Sequence, residues 1–126
     1  MYSLTPNFFV SNLNDTIEFY NKLGFEVVAQ VPEEGANFDW VMMSCDTVVI
    51  MFQTFQSLRN DLPEIKREKG SPMLLYIKMK DIETFYKSIQ PFIKIAKPLE
   101  KTFYGAKEFS IIDPNDIWIT FANDGE

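Results

Sequence analysis

The stretch "AKEFSIIDPNDIWITF", Ala106 to Phe121, reads as two strands folded back on a turn. Asp113-Pro114-Asn115-Asp116 is turn chemistry: Asx side chains bond the backbone two residues on, and proline pre-sets one φ angle. Beyond the turn, Ile117, Ile119 and Phe121 alternate with Trp118, Thr120 and Ala122, so the predicted strand has one apolar face and one of different character. That second face carries a tryptophan and a threonine, with no carboxylate or imidazole. Whether the chain is a metal enzyme or a binder turns on that choice of side chains.

Working outward, the same grammar appears twice. Phe8 to Val10 predicts a strand, and Asn12 an N-cap or turn before a helix over roughly 14–23, with Ile17, Tyr20 and Leu23 on its apolar stripe and Gly24 as its stop. "FEVVAQV" predicts a strand, "PEEGANFD" an acidic loop, and "WVMMS" and "TVVIMFQ" a hairpin around Cys45-Asp46. Residues 54–71 are polar and mixed in charge, and predict a connection with about one helical turn. The pattern then restarts: "MLLYIKM" as a strand, a helix opened by Asp81-Ile82 and ended by Pro91, "FIKIAKP" as a strand, "LEKTFYG" as a loop, and the closing hairpin. The order is βαβββ twice, with module one at about 1–56 and module two at about 72–126. An offset of 69 residues superposes much of the two halves, setting Asp46 on Asn115, Val49 on Trp118 and Trp40 on Phe109.

Composition narrows the chemistry. The 126 residues are one domain's worth, 46% hydrophobic and 24% charged, with 12 Phe and 5 Tyr suited to strands and an apolar cavity. Eighteen acidic against 12 basic residues give a net charge of −6, which argues against a nucleic-acid surface and favours neutral or cationic small ligands. Histidine is absent, so His-based triads, acid–base pairs and imidazole metal sites are excluded. The single Cys45 forms no internal disulfide and fits a buried, unreactive thiol in a reducing compartment. Neither a signal peptide nor a membrane span is evident, and the expected location is cytoplasmic.

In "VSNLNDTIEFYNKLGFEVV", "WVMMSCDTVVIMFQ", "YIKMKDIETFY" and "YGAKEFSIIDPNDIWITF", in that order, the chain resembles the vicinal-oxygen-chelate superfamily of glyoxalase I, bleomycin-resistance proteins and extradiol dioxygenases. The resemblance implies an α+β fold of two βαβββ modules, whose curved mixed sheets enclose a cavity with the helices outside, and a homodimer. In metal-using members four inward positions supply the ligands. Counted onto this chain they are Thr5, Met51, Leu74 and Thr120, and the repeat checks the count, because each half supplies a residue 69 from its counterpart. Two hydroxyls, a thioether and a leucine do not hold a divalent cation. No metal and no other cofactor is therefore expected, and the resemblance points to the non-metal, bleomycin-resistance-like branch.

Alternation assigns the inward face. With Phe8, Val10, Leu75, Ile77, Ile117, Ile119 and Phe121 toward the helices, the other side carries Thr5, Asn7, Phe9, Val49, Met51, Gln53, Leu74, Tyr76, Lys78, Trp118 and Thr120. Trp118 is either a stacking platform or a plug in the former metal site. Trp40 offers stacking or simple packing. Gln53 and Tyr76 bond either a ligand in the cavity or an internal polar network, and Lys78 sits at the mouth. Phe103-Tyr104-Gly105 supplies rim aromatics, and Glu108 pairs a cationic ligand group or a subunit contact. The expected ligand-binding set is Trp118, Trp40, Gln53, Tyr76, Tyr104, Glu108, Met51 and Thr120, with no catalytic residue. The expected function is metal-independent sequestration of a flat or cationic small molecule. The rivals are a metal-independent lyase or isomerase in which Glu108 or Tyr104 moves a proton, and an interaction module whose cavity is filled core.

Overall fold

The computed structural model describes residues 1–35, 37–58, 62, 65–70 and 72–125, and the chain forms two units, Met1–Lys69 and Gly70–Glu126. In the first unit the order is β1 (Asn7–Val10), α1 (Leu13–Leu23), β2 (Glu26–Val31), β3 (Trp40–Cys45), β4 (Val48–Thr54) and a short α2 (Phe55–Leu58). The second runs β5 (Leu74–Lys78), α3 (Ile82–Ile89), β6 (Ile95–Lys101), β7 (Lys107–Ile112) and β8 (Trp118–Asn123). The sheets have one topology, β1-β4-β3-β2 and β5-β8-β7-β6, each open and mixed, with the outer pairs β1–β4 and β5–β8 parallel and the others antiparallel. The fold is the α+β arrangement expected from the sequence. Residues 59–61, 63, 64 and 71 of the polar connection, with Ala36 and Glu126, lie outside the described residues.

Local chemistry sets the helix ends. Asn12 Oδ1 accepts the Asp15 N–H at 3.0 Å, and Gly24 takes the left-handed conformation at φ 104°, which a residue with a Cβ adopts at a cost. The buried stripe of α1 is Leu13, Thr16, Tyr20 and Leu23, which keeps Tyr20 and Leu23 of the expected stripe and sets Thr16 in place of Ile17, which is only half-buried. Thr16 tolerates full burial because its hydroxyl donates to the Asn12 carbonyl at 2.8 Å, inside its own helix. No helix among the described residues is long and apolar enough to cross a membrane.

Each helix covers one face of its own sheet. Tyr20, fully buried, sets its ring 4.7 Å from that of Phe52 and 5.7 Å from that of Phe25. In the second unit Phe85 and Tyr86 pack on Phe109, and Phe85 also packs on Phe121 at 5.0 Å. The closing hairpin turn is held by Asp113, buried, whose Oδ1 accepts both the Asn115 and Ile117 N–H groups at 2.8 Å.

Two sequence expectations shift. β6 begins at Ile95 and runs to Lys101, so Leu99–Lys101 belong to the strand and Phe92 lies in the turn before it, 69% exposed. A proline inside β6 is accommodated because β6 is an edge strand with irregular register. The repeat also slips by one residue within the hairpins. Trp40 pairs with Gln53 and Glu108 with Ala122, while Gln53 and Ala122 are 69 apart, so the counterpart of Trp40 is Glu108 and not Phe109. A one-residue slip exchanges the faces: Phe109 is buried under α3, whereas Trp40 and Glu108 stand on the side away from the helices.

Candidate functional site

The face of the second sheet away from α3 is organised in rows fixed by register. Leu74, Trp118 and Ile112 form one row, Tyr76, Thr120 and Ser110 the next, and Lys78, Ala122 and Glu108 the third. The first row is apolar and open to solvent, with Trp118 42% exposed and Leu74 48%. Glu108 is four residues from Ile112 along β7, about 13 Å away. The face thus has an aromatic end and an acidic end.

The acidic end is a three-residue cluster. Tyr76 and Tyr104 both donate their phenol O–H to Glu108 Oε2, the latter at 2.7 Å. Tyr104 reaches it from the turn between β6 and β7, where Gly105 at φ 89° and bonds between Thr102 and Ala106 hold the loop. Tyr76 and Glu108 bond one another, and no salt bridge to Glu108 is formed among the described residues. Hydrogen bonding to the carboxylate pushes the Tyr76 phenol up to about 12, with burial and the Glu108 charge adding to it, and raises Tyr104 for the same leading reason. A phenol with a raised folded-state pKa supports folding below its ordinary value near 10 and loses that support as pH rises toward 12. Ultraviolet titration should therefore show two tyrosines ionising late, and Glu108→Gln should return both toward pH 10. Their ionising near pH 10 in the parent protein would contradict the cluster.

Between these ends, the Thr120 and Ser110 hydroxyls share a hydrogen bond at 2.8 Å, and both residues are buried. Ser110 escaped the sequence reading because nothing local marks it; only the pairing of β7 with β8 sets it opposite Thr120. Lys78, exposed, bonds Asp124 at 2.6 Å.

On the first sheet the uncovered face carries Asn7, Met51 and Met42 in one row, and Phe9, Gln53 and Trp40 in the next. Asn7 Nδ2 donates to Gln53 Oε1 at 3.1 Å. Trp40 and Met51 are half-buried. Burial, Asp46 and Glu26 in that order raise the Cys45 thiol, which disfavours a thiolate nucleophile.

The metal-ligand positions supply no cation site in either unit. In the first, Thr5 precedes β1 and Met51 lies on β4; in the second, Leu74 offers no donor and Thr120 is engaged by Ser110. No group of three or more His, Cys, Asp or Glu side chains among the described residues is placed to hold a metal. These residues do not fit a divalent cation.

Solved structures share the fold. A protein of unknown function from Agrobacterium tumefaciens str. C58 matches at a TM-score of 0.78 with 21% identity, over 98% of this chain and 94% of that one. A bleomycin-binding protein complexed with bleomycin matches at 0.67 with 17% identity, over 98% of each chain. A bleomycin resistance determinant encoded on the transposon Tn5 matches at 0.70 with 16% identity, over the whole of both. No curated protein matches the sequence. Residues 4–121 match the family model of the Glyoxalase/Bleomycin resistance protein/Dioxygenase superfamily, and the chain belongs to that superfamily.

Proposed function

We propose that the protein is a metal-independent binder that sequesters a flat, cationic small molecule. The observation that carries this reading is the exposed Trp118, set in an apolar row at one end of a sheet face whose other end is Glu108. An aromatic face accepts a planar group by stacking, and a carboxylate on the same surface pairs a positive charge. The net charge of −6 adds long-range attraction of the same sign preference. Tyr76 and Tyr104 hold the carboxylate in place, with Thr120 on the same face; on the first sheet, Trp40, Gln53 and Met51 are proposed as ligand-binding residues of that unit. A structural relative described as a bleomycin-binding protein complexed with bleomycin is a precedent for small-molecule binding on this fold.

Proton-transfer catalysis as a lyase or isomerase is the weaker reading. A Tyr76 phenol pushed up to about 12 is far from the working range of a general acid or base at neutral pH, and the same carboxylate moves Tyr104 in that direction. Sequestration needs only that the phenols stay protonated. Titrating the protein with a planar cation such as ethidium, read by tryptophan fluorescence, tests the proposal. Saturable quenching at one site per subunit is expected, and a non-saturating response at micromolar protein refutes it.

The chain is further proposed to work as a homodimer without bound metal, with module one at about 1–56 and module two at about 72–126, in the cytoplasm. Open sheet edges and an exposed apolar row favour pairing across a two-fold axis. Native mass spectrometry of freshly purified protein should find twice the 14.7 kDa chain mass. One zinc, nickel, iron or manganese per subunit would overturn metal independence, and a monomer at micromolar concentration would overturn the pairing.

A further inference from the structure

The first unit holds a cleft of about 370 Å³ whose lining shares no residue with the binding set proposed above. Its walls come from the start of α1, the loop before β3 and the junction of β4 with α2. The size lies within the about 300–1,000 Å³ of small-molecule sites. Asn12, Asn14, Asn37 and Gln56 bring four carboxamides to it, and Asp39 brings the one charged group. All five are exposed, so a ligand reaches them. No Lys or Arg stands among the described lining residues, and Phe38 and Leu13 supply an apolar patch.

These polar groups are held in place without being used up. The Asn12 carbonyl accepts the Asp15 N–H, which leaves its Nδ2 group unengaged. The side chains of Asn14, Asn37, Asp39 and Gln56 make no hydrogen bond or ion pair among the described residues. The Asp39 main chain is fixed from both sides: its N–H donates to the Val31 carbonyl at 2.7 Å, and its carbonyl accepts from Thr54 at 2.9 Å. Thr54 Oγ1 in turn accepts the Ser57 N–H at 3.1 Å and so anchors the turn that carries Gln56. Donors and acceptors fixed beforehand bind with less ordering cost.

The second unit has a cleft at the matching place, 69 residues on, with Asp81 for Asn12, Glu83 for Asn14 and Asn123 for Thr54. Its lining adds Lys101 and Lys107, and Lys107 pairs with Glu83. The fold thus makes the hollow in both units, and the choice of side chains makes only the first one amide-lined. An anion there would meet Asp39 and no cation. A cation would leave the amide N–H donors idle, and an apolar ligand would cover them unpaired. The chemical match is a neutral molecule with several hydroxyls and one C–H face.

We propose that this cleft is a saccharide site, which takes a neutral pyranose. Each ring hydroxyl both donates and accepts, so the sugar donates to the Asp39 carboxylate and accepts from the amide N–H groups. Its C–H face lies on Phe38. The site differs from the Trp118 and Glu108 surface in location and in ligand class.

The test uses the full chain labelled with 15N, titrated to millimolar levels with the methyl α-D-pyranosides of glucose, galactose and mannose. At least one should move the side-chain amide signals of Asn14, Asn37 and Gln56 to saturation. Tetrahydropyran-2-methanol, a similar ring without ring hydroxyls, should not. Asp39→Ala should weaken binding by about tenfold or more and Gln56→Ala by about threefold, in line with lost bonds to a charged and a neutral group. Both positions are exposed, so both variants should melt as the parent does. Glu83→Ala, in the charged cleft, should bind as the parent does. No saturable shift with any of the three glycosides, an equal response to tetrahydropyran-2-methanol, undiminished binding by Asp39→Ala, or a loss in Glu83→Ala would each overturn the proposal. These signals report on the first unit's cleft, so a failure of the Trp118 reading leaves them intact.

Discussion

Replacing Phe109 with alanine should cost about 3–5 kcal/mol of stability. Phe109 is fully buried, and its ring meets those of Phe85, Tyr86 and Phe121 at 4.9 to 6.1 Å. It therefore joins α3 to both β7 and β8. Truncation removes the transfer free energy of the ring and leaves a void lined by three aromatic side chains, none of which can collapse fully onto the others. Urea unfolding followed by circular dichroism measures the loss. A cost below about 1 kcal/mol would mean that α3 does not seat on this sheet face. A Phe109→Leu variant, which keeps most of the contact, should lose less than half as much.

Trp118→Ala should move a different observable. With 42% of its surface exposed and its cross-strand neighbours Leu74 and Ile112 also open, its removal creates no enclosed void. Thermal stability should change little, whereas affinity for a stacked planar cation should fall by about 1–3 kcal/mol, the range of aromatic hot spots. The alternative role, a plug in packed core, predicts the reverse: a stability loss of about 3–5 kcal/mol with no ligand response to lose. Fluorescence titration and a melt on the same variant separate the two. A protein that melts far lower and whose parent binds no planar cation would end the platform reading. Glu108→Gln should weaken only charged ligands, which distinguishes pairing at the acidic end from stacking at the aromatic end.

Trp118 and Phe109 also mark where sequence reading succeeds and where it stops. Alternation is a property of neighbouring residues, so the strand after the Asp113–Asp116 turn could be assigned a helix-facing set of Ile119 and Phe121 and an opposite set of Trp118 and Thr120 from period two alone. The helix caps at Asn12 and Gly24 were equally local. So was the absence of histidine, which closes off imidazole chemistry whatever the fold. The twofold βαβββ order followed from these same short-range signals repeated along the chain.

Register was another matter, because it depends on which residues meet across strands that are far apart in sequence. A repeat counted at a constant offset put Trp40 on the helix-facing Phe109; the ladders put it on Glu108, since the second hairpin holds one residue differently and the side-chain period is two. The Tyr76–Glu108 bond joins residues 32 apart and the Asn7–Gln53 bond residues 46 apart. Nothing in either residue's neighbourhood announces such a partner. Sequence alone determined the two alternating faces of strands such as β8 and that no histidine stands on either. Only the tertiary structure decided which side chains satisfy one another and which buried side-chain carbonyl, at Asn7, is left over among the described residues, because hydrogen-bond satisfaction is fixed by distances that strand pairing sets.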